Sequence, residues 1–441
     1  MGSATAAPGK AVVRRPLSRD VRLFWCASAT DALGSQASGV VLPLLLLGLG
    51  YSAATVGLVA GVSTAAGLLL APIAAVPADR GARKPVMLWS ALVSALAMGG
   101  VAIAAATGRP PLALLLGAVL VERFSTAVYE AAAAGTVALI APLADSPRVV
   151  AGLSAADQGA LIVGPALGGA LYQASRALPF VADAVSYAVA AVCVGALKSD
   201  LRPGEGAAGV AAQGGAAQEP KPGAPGAPSP AAPRRSRPPR PALRAELGAG
   251  LALVRTSPFL RLVLIWTSTV NGVIVALYYG AVFTLQKGGH GGAPMGLVLA
   301  LSGAAGLVGS LAAPHLAGRI SAARLLVTVS WLLVPLAAAL ATVRGPWAYG
   351  GLFGVFCLLM PLVTVVLQSR AIQETPPALQ ARTGAVLASA VGGSAALAPV
   401  VAGVCASRAG TAAPAVASAA VLTLLACWTT YVRVPARGVA V

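Results

Sequence analysis

The chain has 441 residues, with 31 basic and 13 acidic side chains and a formal net charge of +18. Charged residues make up 10% and the apolar set 57%, with a mean hydropathy of +0.82, whereas soluble domains carry about 25% charged residues. That excludes a disordered chain and argues against a water-facing globule, so the natural solvent is a bilayer.

In chain order, residues 1–22 are basic and polar and form a short tail. A membrane-crossing helix needs about 20 mostly apolar residues. Such runs occupy 23–49, 54–76, 86–106, 112–134, 150–172, 178–197, 259–285, 294–316, 325–343, 347–367, 384–405 and 412–432. The sequence therefore predicts an all-α membrane protein with twelve transmembrane helices. The first run is too long and too uncut for a signal peptide.

Residues 201–243 break the pattern, with 10 Pro and 7 Gly among 43 residues and no aromatic. Such a segment cannot bury a core and reads as a disordered linker. It separates two six-helix halves, 23–197 and 259–432. Around them lie an N-terminal tail (1–22), a central loop (198–258) and a C-terminal tail (433–441). The linker's Arg234, Arg235, Arg237 and Arg240 act as inner-side charge on a tether, and they can also touch anionic lipid heads.

Basic residues give the orientation. With both termini in the cytoplasm, 25 of the 31 fall on the inner side and five (Arg109, Arg176, Lys287, Arg344 and Arg408) on the outer side, while Arg123 lies inside span 4. The asymmetry follows the positive-inside pattern. It predicts a multi-pass protein of the cell membrane with cytoplasmic termini.

The basic residues lie mainly between apolar runs, which argues against a nucleic-acid partner. The five cysteines (Cys26, Cys193, Cys357, Cys405 and Cys427) are widely spaced, with no CxxC or Cys/His ligand pattern. They read as small apolar fillers, and no metal or cofactor is expected.

The halves repeat each other. "SRDVRLFW" (18–25) and "SPFLRLVL" (257–264) share Ser, Arg and Leu at an offset of 239. Arg80 and Arg319 match at the same offset. Arg148 to Pro165 and Arg382 to Pro399 are both 17 apart, and Gly169 and Gly403 follow those prolines by four each. A six-plus-six duplication around a central cavity is a transporter architecture.

The loop after span 2, "AAVPADRGARKPVML", resembles the signature of the major facilitator superfamily, a Gly followed by Asp-Arg-x-Gly-Arg-Lys. Asp79, Arg80, Arg83 and Lys84 match in type and spacing, while Ala75, Ala82 and Pro77 replace the two glycines and a leucine. "ALIVGPALGGALY" (160–172) resembles the span-five motif of proton-coupled exporters through Gly164, Pro165, Gly168 and Gly169, with Ala160 in place of the leading Gly. "FVADAVSY" (180–187) resembles the siderophore- and macrolide-exporter branch. The resemblance implies an inner gate at the first motif and a tightly packed, kinked export seam at the second. Positive-inside anchoring with a turn, and simple helix packing, are the plainer readings of the same residues.

Intramembrane charges are costly and mark function. Asp31 lies in span 1, Glu122, Arg123 and Glu130 in span 4, Asp157 in span 5 and Asp183 in span 6. Taking a carboxylate out of water favours its protonated form, which suits a proton carrier. Asp31, Glu122, Arg123, Glu130 and Asp157 are thus the candidates for proton coupling at a central cavity. Neighbours on a helix face different directions, so Glu122 and Arg123 are expected to look to other helices or to the cavity. Arg123 can hold a carboxylate or an anionic substrate group, or pair structurally with Asp31.

The expected protein is a monomeric secondary transporter with a small-molecule substrate, protons and membrane lipids as partners. It exports an amphipathic organic molecule such as a drug, siderophore or natural product. A proton-coupled importer on the same fold is the alternative. A membrane-embedded enzyme lacks support, because the spans carry no HExxH or Ser/His/Asp arrangement, and no GxxxxGK[ST] loop is present for a pump.

Overall fold

The computed structural model describes residues 17–79, 83–108, 110–141, 145–199, 201, 243–289, 292–317 and 320–432. Most of the proposed linker, Arg80, and much of both tails lie outside the described residues.

Twelve helices among these residues are long and apolar enough to cross a membrane. Span 1 is Arg19–Gly48, span 2 Ala53–Asp79, span 3 Arg83–Ala106 and span 4 Leu112–Ala134. Span 5 is Ser146–Ala174 and span 6 Leu178–Gly195. The second half holds span 7 (Pro258–Lys287), span 8 (Gly292–Ala317), span 9 (Ala322–Leu340), span 10 (Pro346–Glu374), span 11 (Gln380–Ala409) and span 12 (Ala413–Tyr431).

Span 1 starts at Arg19 rather than at 23, because the Ser18 hydroxyl accepts from the Val21 amide and caps the helix. Ser257 does the same for Leu260 at the start of span 7. The two caps stand 239 residues apart, so the repeated serine has the same structural task in both halves. The central loop also departs from expectation. Residues Leu243–Thr256 form a helix that packs against spans 11 and 7. Its Val254 is buried, and its Gly250 lies against the Arg382 backbone. The segment LRAELGAGLALVRT leaves the Pro-rich composition behind and can bury one apolar face.

Helix packing repeats between the halves. Span 1 lies on span 5 as span 7 lies on span 11, and span 3 lies on span 6 as span 9 lies on span 12. Spans 2 and 4 pair like spans 8 and 10, and spans 3 and 4 like spans 9 and 10. Buried aromatic tips in the second half are satisfied: Trp266 Nε1 donates to Ser330 Oγ (3.0 Å) and the Tyr349 hydroxyl to the Leu277 carbonyl (2.9 Å).

The two halves meet mainly through spans 2 and 11 and through spans 5 and 8. Both seams are backbone against backbone. Gly57 sits under the Pro399 carbonyl and Gly403 against Ala53, while Gly296 sits under the Pro165 carbonyl and Gly169 against Gly292. Gly57 and Gly296 are 239 apart, and Pro165 and Pro399 are 234 apart. The seams are therefore pseudo-symmetric copies. They lie at the end of the bundle remote from the connection between spans 2 and 3.

Candidate functional site

Span 4 buries Leu115, Val119, Glu122, Ser125 and Tyr129 on one side. That helical spacing puts one carboxylate in the middle of an apolar face. The Glu122 carboxylate is engaged on both oxygens. Oε2 lies 3.3 Å from Arg123 Nε. Oε1 accepts from the Tyr187 hydroxyl of span 6 (2.7 Å) and from Thr126 Oγ1 (3.1 Å). The Tyr187 oxygen is also 3.0 Å from Ser35 Oγ of span 1. Tyr187 spends its one proton on Glu122, so Ser35 is the donor in that contact.

The contact between Glu122 and Arg123 corrects the expectation that these neighbours look to other groups. Their side chains are long enough to curl together along the helix, and a buried carboxylate without a cation is costly. Arg123 does not pair with Asp31. Within the pair, exposure is uneven: 5% of the Glu122 side chain is accessible, against 41% for Arg123. The carboxylate is covered and the guanidinium is presented.

It is presented to a cavity of about 690 Å³ between the halves, lined from spans 1, 4, 5, 7, 8 and 10. Ser35, Gln36, Gln158, Tyr278, Ser302 and Ser310 give it polar points, and Ile274, Leu299, Phe353 and Met360 give it apolar wall. An adjoining cavity of about 440 Å³ is lined by spans 1, 2 and 4 with Tyr279 and Gly392, and Arg123 borders it too. Arg123 is the one charged group among the described lining residues of either cavity. Ser35 lines the larger cavity, so a hydrogen-bonded chain runs from it through Tyr187 to Glu122.

The remaining candidates separate. Asp31 is half-buried and feels the charges of Asp183, Glu130, Glu122 and Asp157. Glu130 and Asp157 are exposed and line neither cavity; Gln158 takes the cavity-facing place beside Asp157. The second-half spans carry their charged groups near helix ends: Arg261, Lys287, Arg324, Arg370, Glu374, Arg382 and Arg408.

Asp183, counted among the intramembrane charges but passed over as a candidate for proton coupling, is 1% exposed. Its carboxylate accepts from Ser38 Oγ (2.5 Å), and Gly34 clears the space beside it and Ser186. The signal was present as Ser35 and Ser38 on one helix and Asp183, Ser186 and Tyr187 on another, each set at one-turn spacing within apolar runs. Asp20 was likewise passed over. Its carboxylate accepts from the Lys198 and Ser199 amides (3.2 and 2.7 Å) and from the Ser199 hydroxyl, tying the start of span 1 to the end of span 6.

In the first motif, Arg83 Nη1 donates to the Gly135 carbonyl beyond span 4 (2.8 Å), and Lys84 Nζ donates to the Leu197 carbonyl beyond span 6 (2.6 Å). Both cations sit on helix C-terminal carbonyls of their own half. A Cβ at Gly135 would stand 2.6 Å from the Arg83 guanidinium carbon and push that flexible side chain aside. Asp79 closes span 2; its side chain, like Arg80, lies outside the described residues. In the second motif, Gly164 and Gly168 face span 1 at Gln36 and Ala37, whereas Pro165 and Gly169 face span 8. One motif thus serves both packing within a half and the seam between halves.

The family model of the Major Facilitator Superfamily matches residues 24–399. No curated protein matches the sequence at a significant level. Among solved structures, the nucleoside transporter NupG is 13% identical, with 94% of this chain and 99% of that chain covered and a TM-score of 0.67. A bacterial homologue of the human lysosomal transporter Spinster, inward-facing and unoccupied, is 13% identical over 93% and 96%, with a TM-score of 0.67. A bacterial homologue of the iron transporter ferroportin in its inward-facing state is 14% identical over 95% and 99%, with a TM-score of 0.65. At such identities these likenesses establish the fold, and nothing in them carries a substrate across. With the family model running from span 1 into span 11, the chain belongs to the Major Facilitator Superfamily, and it is a multi-pass membrane protein and a transporter rather than an enzyme.

Proposed function

We propose that the chain is a proton-coupled carrier that moves a small amphipathic organic molecule through the central cavity by alternating access. It sits in the cell membrane as a monomer with both termini cytoplasmic, and its halves, 23–197 and 259–432, rock about the cavity while the linker tethers them. The observation that carries this reading is the Glu122–Arg123 pair at the cavity wall, one partner covered and one presented. Asp31, Glu130 and Asp157 are the further candidates for proton coupling. Asp79, Arg80, Arg83 and Lys84 form the inner gate, and the glycine seams close the outer end.

The span-five motif gives export, in exchange for protons, as the direction. The ion pair favours a second reading, uptake together with protons. A substrate group that engages Arg123 weakens its hold on Glu122, and the freed carboxylate then takes up a proton, so both load on the same side.

Proteoliposomes with an imposed pH gradient test the proposal. Addition of substrates from a chemical panel should drive proton flux, and Glu122→Gln should abolish uphill transport while exchange of substrate for substrate persists. Intact coupling in Glu122→Gln, Asp31→Asn and Asp157→Asn alike would refute a proton path through the first half. The sign of the flux separates exchange from co-transport.

A further inference from the structure

The cavity has a chemical polarity that the family fold does not dictate. Its described lining carries one charge, the Arg123 guanidinium, and its second-half wall carries none. Arg123 contacts Glu122 through Nε. Its two terminal nitrogens have no hydrogen-bond partner among the described residues, and 41% of the side chain is accessible. A guanidinium fork with its outer edge free is built for a carboxylate, sulfonate or similar planar anion. The opposite wall supplies Ile274, Leu299, Phe353 and Met360 for an apolar frame, with Ser302, Ser310 and Tyr278 as further polar points.

We infer that the substrate is an amphipathic organic anion whose acidic group docks on the outer edge of the Arg123 guanidinium, and that it loads together with a proton on Glu122. The inference rests on the central-cavity reading above and takes its co-transport arm.

The charge balance is simple. Empty, the site holds Arg123⁺ and Glu122⁻. With the anion bound, Arg123⁺ faces two negative groups, and a proton on Glu122 restores neutrality. The other groups that face this pair are Tyr187 and Asp183 from span 6, Asp31 from span 1, Glu130 one turn-pair along span 4, and Tyr279 from span 7. None of them is a cation, so Arg123 alone can neutralise an incoming anion there. A lipophilic cation would meet the guanidinium with no carboxylate among the described lining residues to offset it. The proton reaches Glu122 from the cavity along the chain through Ser35 and Tyr187: Ser35 takes up a proton from the cavity side as it passes its own to the phenol oxygen, and the phenol passes its own to the carboxylate, so both hydroxyls end neutral.

The test uses three probes on one apolar frame: 2-naphthoate, 2-naphthamide and 2-naphthylmethylammonium. Binding to the purified full-length protein is measured by titration calorimetry in two buffers of different ionisation enthalpy. The naphthoate should bind about tenfold or more tighter than the amide, as charge-assisted hydrogen bonds allow, and the ammonium more weakly still. About one proton should be taken up per naphthoate, as linkage requires. Glu122→Gln should keep the anion preference and lose the proton uptake. Arg123→Gln combined with Glu122→Gln removes both charges, leaves neither buried alone, and should erase the preference. Ammonium binding as tight as naphthoate, a preference that survives the double variant, or no naphthoate binding would each overturn the inference. Loss of pH-driven transport with the anion preference intact would instead overturn the coupling reading.

Discussion

The backbone seams predict a conformational bias that can be sized from the structure. A methyl group at Gly296 would stand 3.1 Å from both the Pro165 carbonyl carbon and Ala166 Cα, and closer still to the Pro165 carbonyl oxygen. At Gly57 it would meet the Pro399 carbonyl carbon at 2.9 Å and Gly403 Cα at 3.2 Å. These neighbours are main chain of packed helices and have no rotamer by which to yield. Overpacking of this kind costs about 1–3 kcal/mol. The cost falls only on the state in which the seams are closed, so each Gly→Ala change should multiply the open-to-closed ratio about 5- to 150-fold. Helix propensity itself improves. The two positions lie on separate seams, so Gly57→Ala and Gly296→Ala should add. Spin labels on Ser175→Cys and Lys287→Cys, in a chain whose five native cysteines are replaced by alanine, read the separation across the span 5–span 8 seam by pulsed electron resonance. Both sites are exposed at the seam end. The long-distance population should grow stepwise from the parent to the single and then the double variant. Gly117→Ala, with open space around it, should leave it unchanged. A distance distribution that ignores both seam substitutions, singly and together, would refute the seam as the closing element.

Three further outcomes follow from particular contacts. Gly135→Val should displace the Arg83 guanidinium and lower transport at near-normal expression, with Arg83→Ala mimicking it; full transport in both would reduce the loop to an anchor. Asp20→Ala leaves the Lys198 and Ser199 amides without their acceptor and should cost about 1–3 kcal/mol, read as a fall in the thermal midpoint in detergent; an unchanged midpoint would show that this tie carries no stability. Single cysteines at Ser229 and Ser175 should label from opposite faces of the membrane, and modification of both by an impermeant reagent in intact cells would refute the assigned topology.

Much of the fold was legible because a bilayer imposes simple rules. Apolar length gave twelve spans, and the Ser18 and Ser257 caps fall on the repeat read from residues 18–25 and 257–264. The helix at Leu243–Thr256 was hidden behind a proline-rich neighbour whose composition dominated the reading of the loop. At the site, Glu122 and Arg123 stood out because charge is rare inside spans. Their mutual contact did not, since helix geometry alone sets adjacent residues apart and says nothing of how far long side chains bend. Glu130 and Asp157 looked equivalent to Glu122 in sequence, yet burial separates them. Only the three-dimensional arrangement shows that Tyr187 and Ser35 link the cavity to the covered carboxylate. The span-five glycines read as one motif, but Gly164 and Gly168 serve packing within a half, while Gly169 serves the seam.

The uneven placement of charge between the halves has an evolutionary corollary. The second-half wall at Ile274, Val275, Leu299, Phe353 and Met360 is uncharged, and the Ser35, Glu122 and Tyr187 side chains of the proposed proton path come from spans 1, 4 and 6. Substitutions on that wall reshape the space offered to a substrate without touching Glu122, Tyr187 or Arg123. If the proposed coupling holds, one half can drift towards new cargo while the other keeps the coupling groups, so paralogues of this chain can diverge in what they carry through changes confined to spans 7, 8 and 10.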